Sequence, residues 1–147
     1  MKATHRLAIL ADADRLFEIR RQSIIALAPK KLSTAEAQAW AAKLTVAGMA
    51  QKIRELEIWI AELGHAVVGW GAIRGDRLEG LYTDPTFAGR GIGAALLCLL
   101  EGLMQRRGVQ EVHADASSNA EAFYFRRGYQ PTGNRTPEGA QPINKRL

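Results

Sequence analysis

Three glycines at alternate positions, Gly89, Gly91 and Gly93, precede a long apolar run. Glycine lets the backbone turn sharply and approach a ligand closely. A helix starting near Gly91 would aim its unpaired N–H groups and positive dipole end at whatever lies in front of it. Gly89, Arg90, Gly91, Ile92, Gly93 and Ala94 therefore read as an anion cradle suited to a pyrophosphate, to which the Arg90 guanidinium could add charge. Three glycines are more than a turn needs merely to reverse.

Other glycine-rich loops compete for this stretch. It lacks the Gly-Lys-Ser/Thr ending of nucleotide hydrolases. Gly89, Gly91 and Ala94 fit the dinucleotide fingerprint formally, with Asp115 at a tolerable distance. That motif expects its first glycine directly after a strand, however, and here residues 84–88 intervene. A glycine-rich turn without a ligand is the remaining alternative. His5, His65 and His113 have no spacing that suggests a metal site. Cys98, the only cysteine, stands in the run Leu96-Leu97-Cys98-Leu99-Leu100 and reads as a buried structural thiol rather than a nucleophile.

The elements that must position this loop follow from pattern. Residues 4–10 read as a strand, ended by Asp12, a helix N-cap residue. A helix then runs to about Ala28, with Leu16, Ile19, Ile24 and Leu27 near helical spacing and Pro29 as its stop. Ser33 and Glu36 have capping-box spacing and open a second helix carrying Trp40 and Leu44; a shorter helical piece follows around residues 49–56. From Glu57 the period changes. Residues 58–61, 67–70 and 78–83, separated by Gly64 and by Arg74-Gly75-Asp76, read as three antiparallel strands. Ile92, Ala95, Leu96, Leu99 and Leu103, widened by Leu97, Leu100 and Met104, make a helix face broad enough to cover a sheet, with Gly108 as its C-cap. A strand at 109–114, a short helix opened by a capping box at Ser118 and Glu121, and closing strands at 129–133 and 143–147 complete the chain. No linker or repeat interrupts residues 1–147, which read as a single domain.

The chain has 147 residues, 47% hydrophobic and 24% charged, the composition of a globular protein with a packed core. No stretch has the length and apolarity of a membrane span or signal peptide, so a cytoplasmic location is expected, with no membrane partner. The net charge of +5 is scattered in pairs such as Arg20-Arg21, Lys30-Lys31, Arg106-Arg107 and Arg126-Arg127. Such pairs read as solvated helix surfaces in preference to a nucleic-acid footprint. The closing strands could support a homodimer, though their apolar content is modest.

The segment Asp84-Pro85 followed by Gly89-Arg90-Gly91-Ile92-Gly93 resembles the coenzyme A loop of the GCN5-related N-acetyltransferases. Residues 116–129, with Asn119 near a helix start and Tyr124 before Gly128-Tyr129, are similar to that family's second signature. The resemblance covers most of the chain from Ile58 onward. It implies an α/β (α+β) fold with a mixed, mostly antiparallel sheet of about seven strands and about four to five helices. It also implies acetyl-CoA as cofactor and no metal. Its activity would be acetyl transfer to a primary amine of a small molecule or peptide by direct attack in a ternary complex. A catalytically silent acyl-CoA sensor is the alternative. The family usually has Gln or Arg where this chain has Ala88, which removes one side chain commonly near the pyrophosphate and leaves the backbone donors.

Such chemistry needs a neutral amine, donors for the oxyanion and a proton or hydrogen bond for the departing sulfur. The resemblance places Tyr124 near the sulfur; a core aromatic between Phe123 and Phe125 is the alternative. It suggests Glu79 as base, on one face with Leu81 if no bulge intervenes, with a surface glutamate as the alternative. The backbone of Leu81 or Tyr82 would polarise the carbonyl, and groups through Thr83 would pair with pantetheine as an added strand would. The family position implies a cofactor contact for Asn119. Arg21, Ser23, Trp40 and Trp70 could line the acceptor side, although the two tryptophans also read as core.

Overall fold

A computed structural model describes residues 2–26, 35 and 44–147. The expected Ser33/Glu36 capping box and Trp40 lie outside them. Strand β1, Thr4–Leu7, is shorter than expected because a 3-10 turn, Leu10–Asp12, intervenes before helix α1, Ala13–Ala26. Asp12 does not cap α1. Its buried carboxylate accepts from the Ile9 amide at 2.8 Å and from both terminal nitrogens of Arg6 at 2.9 Å, and the hydrogen bonds from Arg6 hold its carboxyl below the usual range. Helix α2, Val46–Glu55, starts at Thr45, whose hydroxyl accepts from the Gly48 amide at 3.0 Å.

The meander forms as read. Strands β2 (Glu57–Leu63), β3 (Ala66–Arg74) and β4 (Arg77–Thr83) pair antiparallel, turning at Gly64 and Gly75 with φ near +60°. A 3-10 turn, Pro85–Phe87, and the glycine loop lead into α3, Ile92–Arg106. Then follow β5 (Glu111–Ala116), α4 (Glu121–Phe125), β6 (Gln130–Pro131) and β7 (Gln141–Arg146). All seven strands join one sheet in the order β1-β2-β3-β4-β5-β7-β6, the mixed α/β architecture expected. Among the described residues the one parallel pair is β4 with β5.

The sheet has a different core on each face. Leu16 and Ile19 of α1 and Met49 of α2 pack on Ile58, Ile60, Trp70 and Ala72. On the other face Leu97, Leu100 and Met104 of α3 pack with Leu78, Val112, Ala114, Tyr124, Tyr129 and Ile143. Ala95 and Cys98 are exposed on α3, so the buried thiol expected at Cys98 is corrected: its neighbours Leu97 and Leu100 turn inward while it points to solvent. Gly71 lets α3 lie close against β3, since a Cβ there would stand 2.7 Å from Leu100 Cδ1 and 3.1 Å from Leu81 Cδ1. Gly71→Val is therefore expected to destabilise the fold by about 2 kcal/mol through overpacking. Urea unfolding measures this, and an unchanged midpoint would show that the two leucines can move aside freely.

Among the described residues no helix is long and apolar enough to cross a membrane.

Candidate active site

The glycine loop has the geometry of an open cradle. Gly89 and Gly91 take φ of +80° and +75°, conformations that favour glycine, and Gly91 caps α3 without any side-chain hydrogen bond. A Cβ on either glycine would meet nothing within 4 Å. Among the described residues the first loop-to-helix bond is that of the Ala95 amide to the Gly91 carbonyl, and no internal bond uses an amide of residues 89–94. Six donors are therefore unpaired at and just before the positive end of a 15-residue helix. The Ala88 amide is not among them, because it donates to the Pro85 carbonyl at 3.1 Å. The exposed Arg90 guanidinium stands over the Phe87 ring, 5.3 Å from its centroid.

Beside the cradle the sheet opens. Strands β4 and β5 register only at Arg77 and His113, where the His113 amide donates to the Asp76 carbonyl at 2.9 Å. Past that point β5 pairs with β7 alone, and β4 pairs with β3 alone. Leu81, Tyr82 and Thr83 thus present a strand edge with no described strand beside it. The gap is a cavity of about 160 Å³, lined among others by Arg20, Glu79, Leu81, Tyr82, Ser117 and Tyr124. This is smaller than a pocket for a drug-sized ligand and suits the reacting ends of two molecules.

Tyr124 closes the inner end. It is 7% exposed, held edge-on between Phe123 and Tyr129 at ring separations of 5.2 Å. Burial pushes its phenol far up from the ordinary value and Tyr82 adds to the shift, so the hydroxyl stays protonated through the neutral range. It lines the cavity and donates no hydrogen bond to a described residue. Tyr129 differs: its hydroxyl is spent on Glu101 at 2.8 Å, and Lys145 binds the other oxygen of that carboxylate at 3.0 Å.

These features agree with what the chain is similar to. Residues 28–140 match the acetyltransferase (GNAT) domain family. The chain belongs to the GNAT acetyltransferase family. It is 26% identical over 119 residues to an uncharacterized N-acetyltransferase, YafP, of Escherichia coli (strain K12), a stretch covering 81% of this chain and 75% of that protein. A GCN5-related N-acetyltransferase of Rhodopseudomonas palustris superposes with a TM-score of 0.91 at 29% identity, over 100% of this chain and 97% of that one. The PaiA N-acetyltransferase of Thermoplasma acidophilum, solved in complex with coenzyme A, shares the fold with a TM-score of 0.85 at 19% identity, each chain covered completely at 100%.

Several expectations for this GNAT chain need correction. A bulge opposite Ala72 and Ile73 leaves Glu79 as the extra residue of β4, between Gly80 paired to Ala72 and Leu78 paired to Ile73. Leu78, and not Glu79, therefore shares the α3-side core with Leu81. Glu79 still lines the cavity, with Oε1 3.2 Å from Arg74 and 3.9 Å from Arg77. The capping box expected at Ser118 does not form. Ser118, Asn119 and Ala120 make a turn closed by the Ala120 amide on the Ser117 carbonyl at 2.9 Å, α4 starts after Ala120, and Glu121 pairs with Arg135. Asn119 is exposed on that turn. Trp70 is core, donating from Nε1 to the Leu16 carbonyl at 3.0 Å; Ser23 is buried, and Arg21 is exposed beside a separate groove.

Two residues beside the candidate site escaped sequence reasoning. Arg15 reaches from α1 to Asp84, the first residue of the loop, at 2.6 Å, and also donates to the Val67 carbonyl at 3.0 and 2.8 Å. Arg20 lines the cavity with its guanidinium 5.8 Å from the Tyr82 ring centroid. Its place one turn after the buried Leu16, beside Ile19 and Ser23, was the available signal.

Proposed function

We propose that this chain is an acetyl-CoA-dependent N-acetyltransferase acting on a primary amine of a small molecule or peptide by direct attack in a ternary complex. What carries the reading is the presence, in one chain, of six uncommitted amides on residues 89–94 and of a cavity lined by Leu81, Tyr82 and Tyr124. The donor set fits the cofactor: neutral N–H groups at a helix start suit a pyrophosphate, and the space a Cβ would occupy at Gly89 and Gly91 is open. A protein of the same fold solved with coenzyme A adds support.

Acetyl-CoA, when bound, supplies an activated acetyl thioester. Gly89, Arg90, Gly91, Ile92, Gly93 and Ala94 would hold its pyrophosphate end, with Ala88 lending position only. Leu81, Tyr82 and Thr83 would pair with pantetheine along the free edge of β4. The Leu81 or Tyr82 amide would polarise the carbonyl, and Asn119 would contact the cofactor from its turn. Glu79 is assigned to take a proton from the substrate's ammonium so that the neutral amine can attack, and Tyr124 to hydrogen-bond the departing sulfur. The neutral amine would bond the acetyl carbon as the carbon–sulfur bond breaks, and the second proton lost by its nitrogen would go to the sulfur, so that an acetylated amine and a thiol leave.

Two measurements test this. Acetyl-CoA at about 100 times its Kd is expected to stabilise the protein by about 2.7 kcal/mol, whereas DNA is not. Thiol release across an amine panel should then reveal turnover. Saturable binding with no turnover on any amine would favour the silent sensor. Gly91→Val places a branched side chain at φ +75° in front of the amides, and is expected to weaken acetyl-CoA about tenfold. Undiminished affinity in calorimetry would remove the loop from the cofactor site.

A further inference from the structure

The cavity between β4 and β5 contains a charge imbalance that points to the acceptor. Three charged side chains of the described residues line it: Arg20, Glu79 and Asp115. Both carboxylates already have cations, Glu79 with Arg74 at 3.2 Å and Asp115 with Arg77 at 3.3 Å. Arg20 has none. Its Nη1 is buried and has no hydrogen-bond partner among the described residues. The other cation that α1 sends inward, Arg15, is committed to Asp84 and Val67. A buried guanidinium nitrogen without a partner is costly to keep, and its five donors in a planar fork match a carboxylate on two atoms.

We infer that Arg20 selects acceptors that carry a carboxylate beside their amine, so that the preferred substrates are small amino acids. This rests on the acetyltransferase reading and names the substrate class of that same site. The cavity separates the two ends of such a zwitterion: its ammonium goes toward Glu79 on β4 and its carboxylate toward Arg20 on α1. A volume of about 160 Å³ admits a compact acceptor. Glu79 and Asp115 across the same space repel a dianion more than a monoanion, which favours a carboxylate over a phosphate. Arg20 is in this role a specificity residue, acting through binding.

The test compares glycine, L-alanine, L-methionine, L-phenylalanine and β-alanine with their carboxamides. Calorimetry is run on the whole chain with and without coenzyme A, followed by turnover with acetyl-CoA. At least one acid should bind about tenfold or more tightly than its amide, and the preference should appear in KM with kcat little changed. Arg20→Met should bring the acid-to-amide ratio to near one, Arg20→Lys should restore part of it, and both should keep their acetyl-CoA stabilisation. Equal binding of acids and amides, no binding of any acid, or a preference surviving in Arg20→Met would overturn the inference. Failure of the acetyltransferase reading has a different signature, the absence of acetyl-CoA stabilisation in the unsubstituted protein, and binding without coenzyme A reads Arg20 even then.

Discussion

Tyr124→Phe is expected to lower kcat by about 100-fold with little change in acetyl-CoA affinity, because it removes one hydrogen-bond donor from the reaction and little else. The substitution keeps the ring that packs edge-on against Phe123 and Tyr129 at 5.2 Å, so the α3-side core should survive intact. Tyr124 lines the cavity and its hydroxyl donates to no described residue, unlike that of Tyr129, which is bound to Glu101. Burial holds the Tyr124 phenol protonated well beyond its ordinary value, so a donor is present at every neutral pH. The pH profile of kcat should accordingly show no falling alkaline limb from this group below about pH 10. Stopped-assay thiol release at saturating amine measures both. An unchanged kcat, with binding also unchanged, would return Tyr124 to the role of a core aromatic and give the leaving group to another donor.

Legibility in the sequence followed the range of the interactions. The meander and α3 were readable because alternation, turn glycines and a wide apolar stripe are local signals, and the elements form where they were expected, although Ala95 of the stripe and Cys98 of the apolar run are exposed. The glycine loop was readable for the same reason: positive φ at Gly89 and Gly91 is a backbone requirement that glycine meets. Errors arose where a distant partner outbid a local one. Asp12 has the chemistry of an N-cap, yet the Arg6 guanidinium, brought alongside it by β1, takes its carboxylate. Glu121 has capping-box spacing from Ser118, yet Arg135 claims it from a loop downstream. Strand alternation put Glu79 with Leu81 only in an unbulged strand, and the extra residue opposite Ala72 and Ile73 supplies the bulge that separates them. The splay of β4 from β5 was visible in neither strand alone. It shows only where β4 and β5 come together in the sheet and part after a single register pair at Arg77 and His113, and the cavity lined by Arg20 lies between them.

Arg15→Met is expected to destabilise the protein by about 2–3 kcal/mol at pH 7, and the deficit should shrink on acidification. Asp84 is 5% exposed and begins the turn into the glycine loop, with its amide on the Val68 carbonyl and its Oδ1 accepting from the Thr86 amide at 2.9 Å. Burial by itself would raise its carboxyl; the hydrogen bonds from Arg15 and Thr86 together overcome that and hold it below the usual range. A carboxyl depressed in the folded state contributes stability that is complete above its unfolded value near 4, and that disappears as pH falls through the folded one. Without Arg15 part of what offsets burial is gone, so the carboxyl is depressed less and contributes less stability above its unfolded value, a difference that fades as it protonates. Urea unfolding of both proteins at pH 7 and pH 4 should therefore show a gap that narrows toward acid, and acetyl-CoA affinity should fall with the loss of the loop's anchor. A gap of equal size at both pH values would mean that Arg15 stabilises through its two hydrogen bonds to the Val67 carbonyl, a neutral acceptor, and that the ion pair contributes nothing.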